Sequence, residues 1–100
     1  MRVDAERPAA ERRKTRLLLA IVQNYDRKFA EAESLLKEAL DLRPAGEDQA
    51  KLLFILGRTY VSWGRHSEAR ATMQTIVTEY GQSPMAQKAR ETLVTLDRKR

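Results

Sequence analysis

The stretch LGRTYVSWGRHSEARATM, residues 56–73, decides the fold. It holds Gly57 inside an apolar run, Gly64 seven residues later, and Ala69 where one more turn of a helix begins. Two antiparallel helices approach to ~8 to 10 Å only when small residues sit at their crossing point. Gly57 and Ala69 are placed to supply that crossing. Gly64 answers a different need, because a residue without a Cβ ends a helix in the left-handed conformation at no steric cost. The stretch therefore reads as a helical hairpin.

Working outward, the hairpin occurs twice. Sliding the chain by 37 residues sets KFAEAESLLKEALDLRP (28–44) over RHSEARATMQTIVTEYG (65–81). Glu31 falls on Glu68, Ala32 on Ala69, Leu36 on Met73 and Ala39 on Ile76. The same shift puts Leu17 on Phe54, Leu18 on Ile55, Leu19 on Leu56 and Ala20 on Gly57. A repeat of 20 to 50 residues with two helices per unit is the mark of a helical solenoid.

Punctuation gives five helices and an all-α fold. Pro8 suits a first helical turn, and apolar residues at helical spacing continue to Tyr25, before a break at 26–28. The spacing predicts further helices over 29–42, about 48–63 and about 67–80. They are separated by Pro44-Ala45-Gly46 and Gly64, and Gly81 ends the last of them. Ser83-Pro84, an N-cap serine followed by proline, opens a final helix to about residue 98. Residues 1–7 carry no apolar pattern and are expected to be frayed. Residues 8–100 form one expected domain, with repeats at about 13–46 and 50–81 and a capping helix at 84–98. Ala86, Ala89, Leu93 and Leu96 are expected to cover the second unit.

Composition bounds the function. The 100 residues are 42% hydrophobic and 33% charged, with four Gly, three Pro and no Cys. That is one ordered domain without disulfide or thiolate chemistry. The longest apolar run, 17–22, is too short to cross a bilayer, so no membrane insertion is expected. No signal peptide is visible. A cytoplasmic location is expected, or a periplasmic or envelope-associated one if an export signal was removed. Catalysis finds no support: the single histidine, His66, aligns with Phe29 and reads as a packing residue. Glu31, Glu33, Glu38 and Asp41 do not converge as a ligand set, and Glu33 with Lys37 is an i,i+4 pair. No metal or cofactor is expected.

At these residues the chain resembles the tetratricopeptide repeat family, whose pattern is Trp-x2-Leu-Gly-x2-Tyr followed by Ala, an aromatic and Pro. Leu53, Leu56, Gly57, Tyr60, Ala69 and Met73 match it in the second unit, and Leu19, Ala20, Ala32, Leu36 and Pro44 in the first. Arg16, Gln23 and Gly81 depart from it, as does a unit three residues longer than the usual 34. A slighter likeness joins EYGQSPMAQKARETLVTL, 79–96, to repeat ends of bacterial cell-envelope members.

The resemblance implies a protein-interaction module, an adaptor or a small subunit of an assembly, that holds a protein or peptide in a concave groove. It places Leu17, Leu18, Ile21, Asn24 and Tyr25 on that surface from one unit, and Phe54, Ile55, Arg58, Val61 and Ser62 from the other. The apolar members would anchor and Arg58 would orient. Against this stands burial, because 17–22 and 52–56 are apolar around the whole helix and such helices usually lie in a core. Two repeats fall short of the ~3 that such stacks need, so homo-oligomerisation is a further reading. Nucleic acid is the weaker rival. The net charge of +5 lies wholly in the second half, and Arg12, Arg13, Lys14 and Arg16, then Arg58, Arg65 and Arg70, then Arg98, Lys99 and Arg100 supply cations. No aromatic residues are interleaved with them as stacking platforms.

Overall fold

The computed structural model describes residues 7–42 and 46–98, with side chains for 14–42 and 46–98. Pro44, residues 1–6 of the stretch expected to be frayed, and the charges at Arg12, Arg13, Lys99 and Arg100 lie outside these described side chains, whereas Arg7 of that stretch is helical. Five helices follow one another: α1 (Arg7–Tyr25), α2 (Phe29–Asp41), α3 (Gly46–Trp63), α4 (His66–Glu79) and α5 (Pro84–Arg98). No strand occurs among the described residues. The expected elements are all present. α3 and α4 begin one or two residues earlier than the pattern predicts, and α2 and α4 end one residue earlier.

The two hairpin turns are the same turn. Lys28 N–H donates to Gln23 O and Arg27 N–H to Asn24 O; 37 residues on, Arg65 N–H donates to Tyr60 O and Gly64 N–H to Val61 O. These paired bonds close a helix in the Schellman manner, with its left-handed residue at Arg27 and Gly64. Gly64 takes φ +82° as expected of glycine, and Arg27 takes φ +63° despite its side chain. Ser83 Oγ accepts from Met85 N–H at 3.0 Å, the N-cap predicted for α5.

Cross-links fix the layering. Glu33 pairs with Tyr60 and Arg70 with Asp97, each joining an early turn of one helix to a late turn of its neighbour, and Arg16, midway along α1, pairs with Glu38 late in α2. Consecutive helices therefore run antiparallel. Asn24 bonds Thr59 and Ser83 bonds Glu47, joining late turn to late turn and first turn to first turn. So α1, α3 and α5 run parallel in one layer, with α2 and α4 behind them. The molecule is a slab of 53 × 32 × 15 Å.

Packing follows the repeat. Ala20, Ala32, Leu36, Ala39, Leu52, Leu56, Tyr60 and Ala69 form one core cluster with Leu96; Phe54, Met73, Ile76, Ala86 and Ala89 form a second. Ala20, Ala32 and Ala69 are fully buried and Gly57 is buried too, as crossing points must be. Leu93 is partly buried against the second cluster. Two readings change, and one contact is new. His66 is exposed where Phe29 is buried, although each is the first residue of its helix, so His66 is not a packing residue. Phe29 instead meets Trp63, at 6.0 Å between ring centres, so Trp63 closes the seam between the units. Segment 17–22 is not core throughout: Leu18, Leu19, Ile21 and Val22 are exposed, because only one side of α1 has a neighbour.

Candidate partner-binding surface

The layer of α1, α3 and α5 carries every residue singled out for contact, and the structure divides them. Phe54, Arg58 and Val61 line an open cleft of about 420 Å³ together with Lys88, Glu91, Thr92 and Thr95 of α5. Leu18, Ile21 and Tyr25 stand exposed on α1. Leu17 and Ile55 are partly buried against the core, and Ser62 is exposed on the last turn of α3. Asn24 is structural: its Nδ2 donates to Thr59 Oγ1 at 2.8 Å, and that hydroxyl donates to Ile55 O at 2.9 Å. Asn24 Oδ1 is buried with no bond. These three residues suture α1 to α3.

Phe54 belongs to both core and cleft. Only 9% exposed and packed with Met73, Ile76, Ala86 and Ala89, it is a core residue that also floors the cleft. Above it lies the Arg58 guanidinium, 5.9 Å from the ring centre, a distance at which a cation is drawn to the aromatic face. The opposite wall is set by α5. Thr92 and Thr95 donate their hydroxyl protons to Lys88 O and Glu91 O of their own helix. Their oxygens are left to accept. The cleft thus offers an apolar floor, donors from Arg58 and Lys88, and acceptors from Glu91 and the two threonines.

The four α5 residues were missed as wall, although the shift that reveals the repeat reaches them. Advancing Phe54 and Arg58 by 37 gives Glu91 and Thr95, and Lys51 gives Lys88. α5 is therefore the first helix of a third unit as well as a cap.

Elsewhere several basic side chains are engaged. Arg16 pairs with Glu38, Arg70 with Asp97 and Arg65 with Glu68, while the Arg65 guanidinium lies 3.9 Å from the Trp63 ring centre. Between α2 and α3, Tyr60 Oη donates to Glu33 Oε2 at 2.6 Å. That bond, aided by Lys37, holds the Glu33 carboxyl below its ordinary 4.5 against the opposing effect of burial. Burial first, then the Glu33 carboxylate, pushes the Tyr60 hydroxyl well above its ordinary 10.0. Among the described residues no three His, Asp or Glu side chains converge on a metal position, and no helix is long and apolar enough to cross a membrane.

A family model for the tetratricopeptide repeat matches residues 11–78. Comparison with curated proteins and with solved structures finds no match. The matched span runs through both hairpins, covers well over half of the chain, and coincides with the paired turns and alanine crossings seen in the structure. The chain belongs to the tetratricopeptide repeat family, whose repeats generally mediate protein–protein interaction.

Proposed function

We propose that the protein is a non-enzymatic adaptor or small assembly subunit that holds a segment of a partner protein in the cleft between α3 and α5. The observation that carries this reading is the cleft's chemistry. An apolar floor at Phe54 and Val61 lies beneath charged and hydroxylic walls at Arg58, Lys88, Glu91, Thr92 and Thr95. Apolar ground with a few placed polar groups is what a peptide segment requires, the first for affinity and the second for orientation. A short amphipathic helix or an extended segment with one or two apolar anchors fits that pattern. The rival reading, a polyanion site, draws less support. Arg16, Arg65 and Arg70 each face a carboxylate, so they do not present a shared field to phosphate.

The test replaces residues that face the cleft without building the core. Phe54 is unsuitable, because a charge there would break the second cluster. Arg58→Glu and Lys88→Glu change exposed side chains and leave that cluster intact. With folding of each variant verified by circular dichroism, a lysate protein held by the native chain and lost by both variants places binding in the cleft. Equal retention by all three removes the cleft from partner recognition. Loss that deepens steeply with added salt, together with capture of nucleic acid, returns the polyanion reading.

A further inference from the structure

The 37-residue shift gives each first helix two counterparts, and comparing them isolates one uncovered face. Thr15, Leu19 and Val22 of α1 correspond to Leu52, Leu56 and Thr59 of α3, and these to Ala89, Leu93 and Leu96 of α5. On α3 the face is closed, with Leu52 at 3% and Leu56 at 6% exposure, because the first unit lies against it. On α5 Ala89 and Leu96 are closed in the same way by the second unit. On α1 the same face is open, with Leu19 at 46% and Val22 at 54%. Leu18, Ile21 and Tyr25 border it and are exposed as well. The face has the chemistry of a stacking surface and lacks the stack.

A second copy can meet this face in two ways, with the other end of its slab or with the same face. On α3 the residues that face α5 include Phe54, Arg58 and Val61, and their counterparts on α5 are Glu91, Thr95 and Arg98, all exposed, two of them charged and one hydroxylic. The apolar side of α1 meets no apolar ground there. Head-to-tail stacking of copies, α5 of one onto α1 of the next, therefore has no matching surface. A face that meets itself across a twofold axis needs no second surface. From the exposures of Leu18, Leu19, Ile21, Val22 and Tyr25, the patch amounts to about 600 Å² per copy. A face-to-face pair then buries at most about 1,200 Å², the lower end for a specific interface, and each patch of about 600 Å² is at the top of the range that monomers leave open.

We propose that the partner covering this face is a second copy of the chain, the two α1 helices packing antiparallel about a twofold axis near Ile21 and Val22. The antiparallel sense opposes the two helix dipoles and keeps the exposed Lys14 of one copy away from that of the other. The proposal does not depend on the α3–α5 cleft, since Leu19 and Val22 stand outside it.

Light scattering on the native chain at about 100 µM, where a micromolar interface is saturated, should give twice the 11.5 kDa chain mass. Leu19→Glu with Val22→Glu should halve that mass while the helical circular dichroism is unchanged. Because the chain has no cysteine, Val22→Cys is a clean second probe that does not depend on the double variant folding. On mild oxidation it should link into dimers at least ~10-fold faster than Thr78→Cys, an exposed thiol on α4, owing to effective concentration in the pair. A monomeric native chain, a dimer that survives the double charge substitution, or equal linking by the two thiols would overturn the proposal. Arg58→Glu should leave the dimer mass untouched, so this interface and the cleft can fail separately.

Discussion

A Cβ built on Gly57 lies 2.6 Å from Met73 Cε and 3.1 Å from its Sδ, closer than van der Waals contact allows. Met73 is fully buried beside Ile76, so its thioether has little room to swing away. Replacing Gly57 with alanine adds helix propensity of about 1 kcal/mol, while overpacking a tight core costs about 1 to 3 kcal/mol. We expect Gly57→Ala to lower stability by about 1 kcal/mol, read as a lower urea midpoint at unchanged slope. In a Met73→Ala background the same change should be neutral or favourable, a coupling of at least ~0.5 kcal/mol. A raised midpoint in the native background would mean that Met73 yields freely. The left-handed turn residues make a second contrast at this scale. No atom lies within 4 Å of a Cβ at Gly64, so Gly64→Ala tests φ +82° alone, at about 1 kcal/mol, by the same urea melt.

Between elements, the seam joining α2 to α3 is polar as well as aromatic. Tyr60 donates to Glu33 there, Trp63 meets Phe29, and the Tyr60 and Trp63 rings stack at 6.3 Å. A bond to a partly exposed carboxylate contributes about 1 to 2 kcal/mol, which Tyr60→Phe should remove at pH 7. The pH dependence has a definite sign. Glu33 is held below its ordinary 4.5 in the fold, so its contribution is complete above that value and is lost as pH falls through the lower folded one. Tyr60 is held above its ordinary 10.0, so its contribution is complete below 10 and is lost as pH rises further. Denaturant melts at pH 3, 5 and 7 should therefore show the gap between native and Tyr60→Phe chains narrowing toward the acid end. A gap that stays constant would make the loss one of packing. The elements themselves were readable because small residues, glycines and the Ser83-Pro84 pair sit where local chemistry demands them. The seam was not, since nothing in Glu33 beyond its spacing to Lys37 marks it as an acceptor for a residue 27 positions away. Arg27 was equally hidden, as an arginine gives no local sign of φ +63°, though its alignment with Gly64 does.

Across the whole molecule, α3 is the helix that everything else leans on. It packs against each of the other four, whereas α1 rests chiefly on α2 and touches α3 along a narrow line around Asn24 and Thr59. In a stack whose units contact only neighbours, stability is a sum of unit and interface contributions, so the end unit with one open face opens first. Both halves of the surface question come from this asymmetry. The C-terminal end is closed by α5, which doubles as cleft wall, and the N-terminal end exposes the apolar side of α1. The repeat alignment made the first legible but concealed the second, because an apolar stripe reads as core wherever its neighbour is assumed. Amide hydrogen exchange separates the two ends directly. At about 1 µM, where a micromolar pair dissociates, α1 should exchange fastest among the helices and α3 slowest. Raising the chain to about 100 µM should slow exchange in α1 by roughly 10-fold and leave α4 and α5 unchanged, as binding protects only the surface it covers and the opening it suppresses. Slowing spread evenly over all five helices would instead show that the molecule opens as a single cooperative unit, with α1 no weaker than the rest.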